Sequence, residues 1–90
     1  MHLNDISKVI KIVGDENRLK ILCILFSEKN ICVSDIAEKM NMSIAIISHH
    51  LQVLSKADIL EPVRDGKRIC YKLSTKPFVN DLKKFICKYK

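Results

Sequence analysis

An Asp65-Gly66 step lies between two segments of alternating apolar residues, directly after a stretch of helical periodicity. Glycine tolerates positive φ, so such a step marks a β-hairpin. The flanks are Ile59–Arg64 and Lys67–Leu73. Alternation places Ile69, Tyr71 and Leu73 inward and Arg68, Cys70 and Lys72 on the other face. A strict two-residue turn here would pair Pro62 with Ile69 at a hydrogen-bonded site, where proline has no donor. The expectation is a longer loop, a bulge, or a first strand that begins at Val63. With two Gly and two Pro in 90 residues, the chain lacks the turns of an all-β fold.

The rest reads as helix. Leu3, Ile6, Ile10 and Val13 recur at helical spacing, giving a first helix over Asn4–Val13 that Gly14 ends. Asp15 can cap a second, Glu16–Ser27, apolar on nearly every side and so central to a core. A short helix over Ser34–Met40 turns through Asn41-Met42. Ser43 then caps a longer helix from Ile44 to Ala57, whose core side is Ile47, Leu51 and Leu54. After the hairpin, Ser74 or Thr75 opens a last helix, with Pro77 in its first turn. Phe78, Leu82, Phe85 and Tyr89 form its stripe, widened by Val79 and Ile86.

Size and charge narrow the function classes. Ninety residues make one domain, 1–90, burying roughly 64% of the unfolded surface, which is marginal for a monomer. The net charge of +6 lies wholly in the second half: residues 1–42 hold six basic and six acidic side chains, residues 43–90 ten and four. A basic half suggests a face for a polyanion; a solvated lysine-rich surface is the plain alternative. No apolar run is long enough to span a membrane. The N-terminus lacks signal-peptide anatomy, so the four cysteines are expected as reduced thiols in a cytoplasm. An enzyme is not expected, because no phosphate loop, nucleophile elbow or converging carboxylate pair is present.

A helix-turn-helix followed at once by a basic hairpin is the order of a winged helix-turn-helix, mainly α with a β-hairpin wing. Here Asn17–Leu25 (NRLKILCIL), Ile31–Ser43 (ICVSDIAEKMNMS), Ile46–Leu60 (IISHHLQVLSKADIL) and Arg64–Ser74 (RDGKRICYKLS) resemble the ArsR/SmtB-type family of bacterial repressors, in unbroken order across residues 10–74. The resemblance implies a homodimer through the first and last helices that releases double-stranded DNA when an effector acts. The residues agree: two amphipathic terminal helices flank a marginal core, and isologous pairing would bury both stripes. Closure of a monomeric core is the alternative.

The DNA-reading face is expected on the helix that Ser43 caps, at Ile44, Ala45, Ser48, His49 and Gln52, opposite Ile47, Leu51 and Leu54. Ser48, His49 and Gln52 can hydrogen-bond to base edges and phosphates. Ile44, Ala45 and Ile46 just after the cap can meet thymine methyls but make no hydrogen bonds, which predicts an A·T-leaning site. His49 and His50 are adjacent and point apart, so they do not suit one metal ion; His50 is expected to be packed or hydrogen-bonded. Arg64, Lys67 and Arg68 on the wing are expected at phosphates or in the minor groove.

The effector is less legible. Metal- and arsenite-sensing relatives resemble ICVSDIA but carry Cys-x-Cys, where this chain has Cys32 and then Ser34. Soft-metal sites want two or more thiolates, so Cys32 is a weak metal candidate. The zinc- and nickel-type pattern on the last helix has only Asp81. A third branch senses oxidants or reactive sulfur through two cysteines, and Cys23 and Cys87 resemble that pair. Against it, Cys23 can be a small apolar filler, and Cys87 points away from the stripe beside Lys83, Lys84 and Lys88. No cofactor is required by any of these patterns. A winged-helix protein-interaction module without DNA binding is the rival from another class.

Overall fold

The computed structural model describes residues 1–90. Its elements are α1 Leu3–Val13, α2 Glu16–Ser27, β1 Ile31–Cys32, α3 Val33–Met40, α4 Ile44–Lys56, β2 Leu60–Asp65, β3 Arg68–Leu73 and α5 Pro77–Tyr89. The winged helix-turn-helix expected from the sequence is the observed architecture. One strand was not anticipated: β1, only two residues long, pairs with β3 and makes a three-stranded antiparallel sheet in the order β1-β3-β2.

Local chemistry explains the joints. Asp15 Oδ1 accepts from the Arg18 backbone N–H at 3.0 Å and caps α2. That bond holds the Asp15 carboxyl below its ordinary value of 3.8. Asn41 ends α3 in the left-handed region at φ 53°, a conformation that asparagine tolerates. The chain then restarts within two residues, where Ser43 Oγ accepts from the Ile46 N–H at 3.1 Å. The start of α5 differs from expectation. Lys76 is its N-cap with Pro77 as the first helical residue, while Ser74 is buried and its Oγ accepts from the Lys76 N–H at 3.1 Å.

The hairpin keeps a tight turn, displaced by one residue. Asp65 pairs with Arg68, so the two loop residues are Gly66 and Lys67. Gly66 has φ +64°, as the first position of a II′-type hairpin turn requires. Pairs alternate in hydrogen bonding away from such a turn. Pro62 therefore meets Tyr71 at a non-hydrogen-bonded site on the edge strand β2. The proline conflict disappears without a longer loop or a bulge.

The core is one apolar cluster. Ile21 and Leu22 of α2, Ile36 of α3, Ile47, Leu51 and Leu54 of α4, with Ile59 and Leu60, are fully buried. Ile31, Tyr71 and Val79 close it from the sheet and from α5. Burial pushes the Tyr71 phenol above its ordinary value of 10.0. The two terminal helices lie at the edge of this cluster, with Val9, Ile12, Phe78, Leu82 and Ile86 partly buried against it. Val13 is the one buried residue of α1 and Val79 that of α5. Leu3 is 84% exposed and Tyr89 69%, and Ile10 and Phe85 are also exposed.

Candidate nucleic-acid interface

Helix α4 has two distinct faces. Ile47, Leu51 and Leu54 anchor one to the core, which fixes the rotation of the helix. The opposite face presents Ile44, Ala45, His49 and Gln52 to solvent, with Ser48 half-buried beside them. Ile44 is 59% exposed and Ile46, the other bulky apolar residue of this leading turn, 48%. Gln52 Nε2 donates to Ser48 Oγ at 3.5 Å, a long bond that is easily exchanged. The polar groups are thus gathered one to two turns into the helix, behind an apolar leading edge.

His50 turns inward from this face. Its Nδ1 accepts from Arg18 Nε at 3.2 Å, and the same guanidinium donates to the Ile12 carbonyl at 3.2 Å. The acceptor role requires the proton on Nε2. The ring centroids of His49 and His50 are 6.1 Å apart, and His50 is committed to Arg18. The two side chains diverge, His49 toward solvent and His50 toward Arg18.

On the wing, Arg64 and Lys67 are exposed at the tip and join no ion pair. Arg68 is placed differently. One of its guanidinium nitrogens lies 2.9 Å from Asp35 Oδ2 and 3.3 Å from Ser34 Oγ, both in the first turn of α3. Its expected phosphate role competes with this partner.

The cysteines correct the sequence reading most. Cys32 and Cys70 pair across β1 and β3 and are joined as a disulfide, a pairing the sequence reading did not anticipate. Cys23 is a half-buried free thiol on α2 and Cys87 an exposed free thiol on α5; the structure does not join them. Sequence reasoning missed the joined pair because the two residues lie 38 positions apart and β1 is too short to show alternation. The Asp65 carboxylate and the two sulfurs lie within 4.8 Å of one another. Two soft donors and one hard one would meet a thiophilic ion only in part, and only as thiolates.

The family model for the bacterial regulatory proteins of the arsR family matches residues 15–61, from the cap of α2 to the start of β2. The chain belongs to that family. The arsR-family chain is 44% identical over 66 residues to the cadmium resistance transcriptional regulatory protein CadC of Listeria innocua, covering 73% of this chain and 56% of that protein. It therefore spans about half the length of that relative. The transcriptional repressor SdpR of Bacillus subtilis is 39% identical over 69 residues, covering 77% of this chain and 76% of SdpR. Among solved structures, a Mycobacterium bovis protein, a homodimeric winged helix-turn-helix DNA-binding domain of a possible ArsR-family regulator, superposes with a TM-score of 0.80. It is 26% identical and is covered to 75%, against 96% of this chain. These relatives are regulators rather than catalysts, in line with the lack of a catalytic constellation in this arsR-family sequence. No helix is long and apolar enough to cross a membrane.

Proposed function

We propose that the chain is a homodimeric, sequence-specific DNA-binding repressor of the cytoplasm, with no required cofactor. One observation carries this reading. The exposed face of α4 is held by a fully buried one, and beside it stands a wing whose Arg64 and Lys67 have no internal partner. Ser48, His49 and Gln52 would read base edges in the major groove, Ser43, Ile44 and Ala45 would line the entry, and Arg64, Lys67 and Arg68 would meet phosphates or the minor groove. The basic second half and the unpartnered Arg64 and Lys67 favour DNA over a protein-interaction module.

The second copy is proposed to cover α1 and α5. Leu3, Ile6, Ile10, Phe85 and Tyr89 are large apolar side chains left in solvent on these two helices. An isologous contact would bury them and set the spacing of the two α4 helices.

Release from DNA is proposed to follow chemistry at the thiols. Cys23 and Cys87 are available as free thiols, but a bridge between them would need their Cα atoms within about 4.4–6.8 Å. Metal sensing is the second reading, favoured by the grouping of Cys32, Asp65 and Cys70. Selection of bound sequences from a random duplex pool tests the main reading: an enriched A·T-leaning motif with dyad symmetry is expected, and an unenriched pool would refute it.

A further inference from the structure

We infer that Cys32 and Cys70 form a reversible dithiol–disulfide switch that clamps the wing to the start of α3 and weakens DNA binding when oxidised by a hydroperoxide. The inference deepens the DNA-binding reading and rests on it. Four observations carry it.

The first is register. Starting from the Asp65–Arg68 pair at the turn, hydrogen bonding alternates, so Cys70 directs its backbone groups to Val63 on β2 and none to β1. The Cys32–Cys70 pair on the β1 side is then a non-hydrogen-bonded pair, the arrangement that brings facing side chains closest. The second is placement. Cys32 is 7% exposed and Cys70 3%, yet neither belongs to the main apolar cluster. They lie on the opposite face of the sheet from Ile31, Leu60 and Tyr71, so their burial serves the seam between wing and helix-turn-helix rather than the core. The third is that Cys32 is the N-cap of α3. Amide groups at a helix start favour a thiolate there. The fourth is a second tie across the same seam: Arg68, two residues from Cys70, holds Asp35 and Ser34, three and two residues beyond Cys32.

The chemistry balances with the oxidant named. The Cys32 thiolate attacks a peroxide oxygen, the O–O bond breaks, hydroxide (or alkoxide) leaves, and a sulfenic acid forms. The Cys70 thiolate then attacks that sulfur, the S–O bond breaks and the S–S bond forms. The two sulfurs lose two electrons, and the two oxygens leave protonated, as two waters for hydrogen peroxide. Two equivalents of a small thiol reverse the process. The oxidant gains access by fraying of β1, a two-residue edge strand. The direction of the effect follows from Arg68. The disulfide holds the segments that also carry the Arg68–Asp35 pair, and so keeps that guanidinium from phosphate. Reduction lets the wing move and Arg68 exchange Asp35 for DNA.

The test uses the full chain, reduced and then treated with hydrogen peroxide, with peptide mapping by mass spectrometry and fluorescence anisotropy on duplex DNA. The expected result is a Cys32–Cys70 linked peptide and affinity about fivefold or more weaker, restored by dithiothreitol. The Cys32→Ser/Cys70→Ser variant should bind like the reduced protein and ignore peroxide. Circular dichroism checks its fold, and the comparison of the two wild-type states needs no variant. A linkage elsewhere, or unchanged affinity after Cys32–Cys70 linkage, would overturn the switch while leaving DNA binding intact. A cadmium–thiolate absorption band with DNA release, and no linkage by peroxide, would overturn it in favour of metal. Absence of duplex binding in both states would remove the DNA-binding reading and the switch together.

Discussion

Arg18 donates from Nε to Nδ1 of His50 across 3.2 Å, and so links α2 to the inner side of the helix that presents Ser48, His49 and Gln52. The same guanidinium holds the Ile12 carbonyl near the end of α1. One side chain thus ties a terminal helix, the central helix and the candidate reading helix. His50→Ala should destabilise the fold by about 1–3 kcal/mol, because a half-buried charged donor loses its acceptor. Urea unfolding measures the loss. His49→Ala, one residue away but exposed, should leave the midpoint unchanged and weaken DNA binding instead.

The rotation of α4 depends on its buried side. Leu51 is fully buried, and Leu51→Ala should cost about 2–5 kcal/mol through lost transfer energy and a residual cavity. Thermal unfolding followed by circular dichroism should show it; an unchanged melting temperature would mean the site is not packed as described.

Asp15 gives a pH signature of known sign. Its carboxyl is held low chiefly by the Arg18 backbone N–H, with smaller contributions from the Arg18 charge and the Asn17 N–H, against a raising effect of burial. A depressed carboxylate contributes stability that is present above its unfolded value and is lost as pH falls through its folded value. The midpoint should therefore drop as pH is lowered from about 4 toward 2. Asp15→Asn keeps a capping oxygen and should flatten that part of the profile, measured by thermal melts across pH.

The Arg68–Asp35 pair separates stability from binding. Both side chains are about half exposed, so the pair adds little to stability. Asp35→Asn should leave the melting temperature within about a degree, yet tighten duplex binding by freeing Arg68 and removing a negative charge. Titration at fixed salt checks it, and weaker binding would place Asp35 in a direct role instead.

Much of this architecture was legible from local signals. The spacing of Ile47, Leu51 and Leu54, the cap at Ser43 and the turn at Asn41 all act within a few residues, and the structure holds them where the sequence placed them. The inward course of His50 was legible too, because adjacent helical residues diverge. The hairpin was visible but its turn was not, since Asp-Gly favours one register and Gly66 at the first loop position another; pairing along six residues of each strand decides between them. Strand β1 was invisible, because two residues carry no period and their partner lies far along the chain. The Cys32–Cys70 pair and the Arg68–Asp35 pair followed β1 out of view.

The most direct test of the central claim is anisotropy of the reduced protein on duplex DNA over a salt series, for the wild type and for Lys67→Ala/Arg68→Ala. Wild-type affinity should fall steeply and linearly with log salt. The variant should bind all sequences more weakly, with a slope flatter by about 0.9 for each phosphate it no longer neutralises. Salt-insensitive binding by the wild type, or a sequence-selective weakening in the variant with the slope unchanged, would contradict a wing that holds the DNA backbone beside α4.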